Sequence, residues 1–297
     1  MDKKVLVIIV SYNFERWIDH CLGSLRNTEY LVDVVVIDNC STDHTIELIE
    51  KNYPEVRIVA NKQNLGFGKA NNIGMKIALD ENYDAVFLLN QDAWIGANTI
   101  GTLVKLYQEN TNVGILSPVH LTGKGDNLDA GFATYIGVSK LADLKSTDNL
   151  VCVPFINAAF WFIPTSVLRI VGGFSPLFDH TGEDCDYVNR LKYFGYKVGY
   201  TPAVFAYHDR ENRSRSSKIR FCIEHTYWLS EYANINYSFC KAFGYGVLAC
   251  IKKSWKALMK KDIIASMTFI RITFKVLRCT CKVIHYRYNY KHINQLQ

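Results

Sequence analysis

The sequence predicts an α/β protein built on a central, mostly parallel sheet, and three observations predict it. Short apolar runs recur at residues 5–10, 32–37 and 86–89, interrupted only by Asp33, each the length of a strand buried on both faces. Each run ends in polar residues: Ser11, Tyr12 and Asn13; then Asp38 and Asn39; then Asn90, Gln91 and Asp92. Helical patterns separate the runs, and this β-α-β-α-β rhythm specifies parallel strands with helices on both faces.

The elements follow in order. After the first strand, Trp17, Ile18, Cys21, Leu22 and Leu25 share one face of a helix over residues 16–25. The second strand ends at Asp38, and Ser41, Thr42 and Asp43 offer N-cap groups for a helix through Ile46 and Ile49. A short strand over 57–60 leads into NKQNLGFGKANNIG, residues 61–74, and a helix reaching Leu79. Beyond Asp92 the pattern predicts a helix over 98–107 and a strand over 113–116. A polar, Gly-containing loop over 120–150 and a strand over 151–156 come next. Phe160, Trp161 and Phe162 read as core. Residues 172–208 contain three carboxylates, Glu183, Asp184 and Asp186, at a helix start, and a final strand over 204–207 delivers His208.

Composition bounds the class. The chain has 297 residues, 49% of them hydrophobic and 21% charged, as in a globular protein of one large domain or one domain plus an appendage. The first apolar run is too short for a signal-peptide core, so a cytoplasmic chain is expected. Nine scattered cysteines without a CxxC pair suit neither a disulfide framework nor a structural zinc site. The net charge of +6 is unevenly spread: residues 1–210 hold 18 Lys/Arg against 24 Asp/Glu, and residues 211–297 hold 16 against 4. This divides the chain into a mildly acidic body, 1–212, and a basic, aromatic-rich helical tail, 213–297. The tail's charge suggests an anionic surface as partner.

Open α/β sheets bind ligands beyond the carboxyl ends of their strands. Asp92, after a hydrophobic strand, can hold a divalent cation and through it a diphosphate, or it can cap the next helix. Asp38 can accept hydrogen bonds from a ribose or base, or it can shape its own turn. The crowded Glu183, Asp184 and Asp186 raise one another's pKa, which suits a general base, but acidic residues also stabilise a helix N-terminus. His208 is a candidate metal ligand or a structural histidine. No GxGxxG follows the first strand and no P-loop is present, which excludes the common dinucleotide and P-loop folds.

SYN after the first strand, IDNCSTD at 37–43, NLGFGKANNIG at 64–74 and LNQDA at 89–93 occur in the order found in family 2 of the inverting glycosyltransferases. The chain resembles that family, which has the GT-A fold, and most of all its rhamnosyltransferase-like branch. The resemblance covers roughly residues 3–210. It implies that Ser11, Tyr12 and Asn13 line the nucleotide and that Asp38 binds its base or ribose. Gly66 and Gly68 would let backbone approach the donor, with Asn64 beside them and Asn71 adding a polar contact. Asp92 would be the metal carboxylate of an Asp-x-Asp motif whose first position here is the neutral Asn90, and Gln91 stands where the branch has proline. His208 would join Asp92 on Mg2+ or Mn2+. The Glu183-Asp184 pair matches the catalytic base, with Asp184 taking the acceptor's proton. The expected reaction moves a sugar from a nucleotide-diphosphate donor to a saccharide or lipid-linked acceptor in bacterial surface polysaccharide synthesis. A non-catalytic nucleotide-sugar binding protein is the alternative. A sugar nucleotidyltransferase would need a Gly-rich loop near the first strand, which is missing.

In the tail, RSRSSKIR places Arg213 and Arg215 where they could offset leaving-group charge. Neither residues 239–251 nor 263–277 reach the ~20 clean apolar residues of a spanning helix. Basic amphipathic helices on an anionic membrane, at the inner face of the cell membrane, fit better. A helical bundle docked on the body or forming a homo-oligomer is the competing expectation. Nucleic acid is not expected as a partner, because no recognised motif accompanies the charge.

Overall fold

The computed structural model describes residues 3–144, 149–178, 181–210 and 217–291. The chain forms two compact units, Met1–Gly173 with Gly195–Arg213, and Phe174–Phe194 with Ser214–Gln297.

The first unit is a mixed sheet of order β3-β2-β1-β4-β8-β6-β9-β5, with β7 paired to β9. The strands are β1 (Val5–Ser11), β2 (Asp33–Asp38), β3 (Arg57–Ala60), β4 (Ala85–Asn90), β5 (Ala93–Ile95), β6 (Val113–Thr122), β7 (Val151–Val153), β8 (Phe160–Pro164) and β9 (Lys197–His208). The helices are α1 (Ile18–Arg26), α2 (Thr45–Asn52), α3 (Phe67–Asp80), α4 (Thr99–Glu109), α5 (Ala130–Ile136) and α6 (Thr165–Val171). The first four strands are mutually parallel, as the crossover rhythm predicts, and β6 runs parallel to β9. β8 pairs antiparallel with β4 and β6, and β5 and β7 pair antiparallel with β9.

Helices cover both faces. Val5, Val7 and Ile9 join Cys21, Leu22, Ile49 and Leu103 in one core cluster. Ile8 points the other way, against α3. A Cβ built on Gly74 would lie 2.5 Å from the Ile8 side chain, so the glycine sets how closely α3 approaches β1.

Two features depart from the sequence pattern. Residues 160–164 form the wholly buried strand β8, where the pattern showed only core residues. Within it Trp161 is a core side chain, as the sequence predicts, and its indole N–H donates to Ile156 O at 3.2 Å. The polar stretch after residue 120 contains the end of β6 and helix α5, capped by the Asp129 carboxylate on the Gly131 and Phe132 N–H groups.

The second unit is helical: α7 (Glu183–Tyr193), α8 (Ser217–Ala233), α9 (Phe239–Phe243), a π-helical turn Gly244–Leu248, α10 (Ala249–Met259), α11 (Ile263–Arg278) and α12 (Thr280–Lys291). Trp228, Tyr232, Val247, Ile272, Val276 and Val283 form its core. The sequence placed α7 in the body, but it packs here with the C-terminal helices. The buried Asp186 accepts from Arg190 Nε at 2.9 Å and from the Tyr286 hydroxyl on α12. Asp186 therefore holds this helix in place. Burial raises its carboxyl pKa, and the Arg190 charge opposes the rise.

Candidate active site

Parallel pairing lines up the carboxyl ends of the first four strands. Ser11 lies beside Asp38, Asp38 beside Ala60, and Val10 beside Asn90. This row fixes where each following loop begins.

The loops after β1 and β2 interlock. The buried Asp38 carboxylate accepts from Ser11 Oγ at 2.8 Å, from Ser41 N at 2.9 Å and from Ser41 Oγ. Those partners make Asp38 the shaper of its turn. Asn13 adopts a φ of 52°, a region asparagine tolerates. Its backbone N–H donates to Ser41 Oγ, and its Oδ1 accepts from Thr42 N, both at 2.9 Å. Tyr12 leaves its ring half exposed, while its peptide is gripped on both sides by one side chain. Tyr12 N donates to Gln91 Oε1 at 2.7 Å, and Gln91 Nε2 donates to Tyr12 O at 3.2 Å.

The glycine loop is held from β2. Asn39 Nδ2 donates to Gly66 O at 3.3 Å, and Asn39 Oδ1 accepts from Asn61 Nδ2 at 3.0 Å and Leu65 N at 3.3 Å. Asn64 Oδ1 accepts from Gly66 N at 2.9 Å. Gly66 precedes α3 at φ 79°, ψ 173°, a conformation side chains avoid. Gly68 and Asn71 are buried in the helix, where Asn71 Nδ2 donates to Phe67 O at 3.0 Å. Asn39 matters as much to this loop as the residues singled out in it. Its dipeptide with Asp38 reads as an ordinary turn, so sequence alone hides the link.

At the far end of the row, β5 pairs with β9 so that Ala93 faces His208. Asp92 Oδ1 and His208 Nε2 then lie 3.3 Å apart, both buried, with Asn90 Nδ2 3.4 Å from the same nitrogen. Two cis ligands of an octahedral ion at about 2.1 Å sit about 3.0 Å apart, so this separation fits one cation as well as a direct contact. The mixed nitrogen and oxygen donors suit Mn2+ better than Mg2+. No third His, Cys, Asp or Glu completes a cluster among the described residues, so further ligands would have to be donor oxygens or water.

The chain just past His208 is pinned from two sides. Asp209 accepts from Trp17 Nε1 at 2.9 Å and Arg16 at 3.1 Å. Arg210 donates to both oxygens of Asp129. Burial alone would raise the Asp129 carboxyl, but the Arg210 fork and the Phe132 N–H hold it below the ordinary range. These anchors fix the backbone that carries His208, and nothing in the dipeptide Asp209-Arg210 marks them in advance.

Residues 6–162 match the family described as glycosyl transferase family 2. The chain belongs to this family. Among curated relatives of this family 2 chain, the low-salt glycan biosynthesis hexosyltransferase Agl10 of Haloferax volcanii is 24% identical over 69% of the chain and 66% of its own length. Other curated relatives match over 17 to 50% of theirs. Solved structures similar to it include the mannosyltransferase PcManGT from Pyrobaculum calidifontis with GDP-Man and Mn2+. That match has a TM-score of 0.61 and 17% identity, and covers 98% of this chain and 84% of that one. S. aureus TarS 1-349 superposes with a TM-score of 0.60 and 17% identity, over 99% and 92%. These likenesses establish the GT-A fold.

In the second unit of the family 2 chain, Glu183 and Asp184 occupy the first turn of α7, which starts after Gly182 at φ 82°. Glu183 is buried and Asp184 is partly exposed, with Asp184 Oδ1 accepting from Cys185 N at 2.8 Å. Of the three carboxylates, Asp186 is bonded to Arg190 and to the Tyr286 hydroxyl. Arg213 and Arg215 lie outside the described residues.

Proposed function

We propose that the chain is an inverting glycosyltransferase. It would move a sugar from a nucleoside-diphosphate donor to a hydroxyl of a saccharide or lipid-linked acceptor in surface polysaccharide synthesis. One observation carries the reading: a row of strand ends with the Ser11–Asp38 and Tyr12–Gln91 bonds at one side and the Asp92–His208 pair at the other. Gly66, without a side chain at the start of α3, would let a phosphate approach the helix N-terminus closely. Asp38, Asn64 and Asn71 serve this site chiefly by shaping it, since their bonds run to the protein. Tyr12 offers the base a ring to stack on.

Asp92 and His208 would hold the cation. When bound, it supplies positive charge against the diphosphate. Asp184 takes the proton from the acceptor hydroxyl as that oxygen bonds to the anomeric carbon. The bond from that carbon to the diphosphate oxygen breaks in the same displacement, and configuration inverts.

The reading is tested with Asp184→Asn. Transfer should fall by several orders of magnitude while donor binding, read as thermal protection, stays within twofold. Equal loss of both removes Asp184 from the role of base. A panel of UDP-GlcNAc, GDP-mannose and dTDP-rhamnose assigns the donor and decides whether the rhamnosyl resemblance extends to substrate. The neutral amide of Asn90 beside His208 favours a second reading, a nucleotide-sugar binder without catalysis. Release of nucleoside diphosphate from the wild-type chain with acceptor and Mn2+ separates the two.

A further inference from the structure

Helices α10 and α11 form an antiparallel hairpin. Ser254 Oγ donates to Ser266 O at 3.0 Å, and Cys250 Sγ lies 3.4 Å from Phe269 O. One face of each helix is buried in the bundle, through Cys250 and Ser254 on α10 and Ser266, Ile272, Thr273 and Val276 on α11. Ordinary amphipathic helices would be polar on the other side.

These helices are not. Ile251, Trp255 and Leu258 recur on the exposed side of α10 at helical spacing. Ile263, Met267, Ile270, Phe274 and Leu277 do the same on α11. Trp255 is 63% exposed and Phe274 62%. Each exposed stripe follows its helix's buried seam in the same rotational sense. In an antiparallel pair this places both stripes on one side of the hairpin. An apolar face two helices wide results, far larger than scattered surface residues explain.

Basic residues border it. Lys252 and Lys256 fall at the edge of the α10 stripe away from the seam, and Arg271 and Arg278 do so on α11. Residues 249–278 contain eight Lys/Arg and one acid, Asp262, which caps α11 by accepting from Ala265 N. A protein partner or second copy would have to bury this uncompensated charge around an apolar centre. An anionic bilayer accommodates both, with aromatic and aliphatic groups among acyl chains and cations at phosphate level. No helix among the described residues is long and apolar enough to cross a membrane.

We infer that the outer face of the α10–α11 hairpin lies flat in the interface of an anionic lipid bilayer. This deepens the membrane-linked part of the proposed function and is independent of its donor chemistry. The test is flotation of the full chain with phosphatidylcholine vesicles, with and without 30% phosphatidylglycerol. Binding should require the anionic lipid and weaken with salt. Trp255→Glu/Phe274→Glu should abolish it, and each of Lys252→Gln, Lys256→Gln and Arg271→Gln should weaken it about fivefold. Unchanged thermal protection by the donor shows that the variants fold. Failure of the wild-type chain to float overturns the inference. So does sedimentation as a dimer that Trp255→Glu dissociates, which would assign the face to a second copy.

Discussion

Asp92 Oδ1 and His208 Nε2 meet at 3.3 Å although the residues are 116 positions apart in sequence. Three strands bring them together: β4 carries the chain to Asp92, and β9 returns antiparallel to β5 with His208 opposite Ala93. Trp17, Arg16 and Asp129 then hold the residues after His208. Such outside support fixes the backbone that places the pair, whether or not a cation joins it.

His208→Ala and Asp92→Asn should each remove the Mn2+ dependence of donor binding, weakening it at least about tenfold with Mn2+ and little without. Asn90→Asp should act in the opposite direction, because a second carboxylate beside the pair adds an anionic oxygen for the ion. Titration calorimetry with UDP-GlcNAc or GDP-mannose, with and without Mn2+, reads all three. Equal donor affinity with and without Mn2+ in the wild-type chain would take the cation out of the site.

Gln91 makes a separate prediction. Its amide forms two hydrogen bonds to the Tyr12 peptide, so it works as a clasp between the loops after β1 and β4. Gln91→Ala should loosen Tyr12 and weaken donor binding about two- to tenfold, the range for two solvent-accessible bonds. Gln91→Glu keeps the acceptor and loses the donor, and should fall between. Melting temperature should barely move in either. A large loss of stability instead would make the clasp a feature of folding and not of the site.

The parallel half of the sheet was legible because its signal is local. Residues 5–10, 34–37 and 86–89 are strand-length apolar runs with polar ends, and register follows once they are parallel. β8 was not, because FWFIP in a buried antiparallel strand has the composition of any core segment. The same limit applies to the site. Asp92 stood out by its position after a strand, and His208 was singled out by the family resemblance. Asn39, Asp129 and Asp209 act through partners 22 to 193 residues away, and a single polar residue carries no mark of such a partner. The membership of α7 was hidden for the same reason: Asp186 reads as one more helix-start acid until Tyr286, 100 residues on, is seen to bond it.

Acid should destabilise the chain in two steps. His120 is fully buried against Phe132 and Phe160, with Nε2 2.7 Å from Ser117 Oγ, and burial, reinforced by His208, holds its pKa well below the ordinary value. Asp129 opposes that depression and Arg210 adds to it. Below about pH 6.5 the unfolded imidazole takes a proton that the folded one refuses. Stability therefore falls as pH drops, by about 1.4 kcal/mol between pH 7.5 and 5.5. The contribution of Asp129 has the ordinary acid sign: present above its unfolded pKa of about 3.9 and lost as pH falls through its lower folded value. Urea midpoints from about pH 7.5 down to about pH 2 should show both, and His120→Phe should remove the first step alone. An unchanged slope in that variant would assign the first step elsewhere, His225 being the next candidate because burial also lowers its pKa.

The second unit should respond to pH in the opposite sense once its buried pair is broken. Arg190 and Asp186 are both nearly inaccessible, and Arg190 Nε donates to Asp186 at 2.9 Å. Arg190→Met leaves the carboxylate buried without its cation, a change that typically costs about 3–5 kcal/mol. The Tyr286 hydroxyl still donates to it, but burial now acts without the guanidinium and raises the folded pKa further. An acid with a raised folded pKa contributes stability below its unfolded value, and that stability is lost as pH rises through the folded one. Relative to wild type, the variant should therefore lose less stability at pH 5 than at pH 8, and Arg190→Met/Asp186→Asn should restore the wild-type pH dependence. The measurement is the denaturant midpoint at the two pH values. A single variant equally unstable at both would mean that lost packing of Arg190 against the Tyr187 and Tyr290 rings, rather than an unpaired carboxylate, dominates the loss.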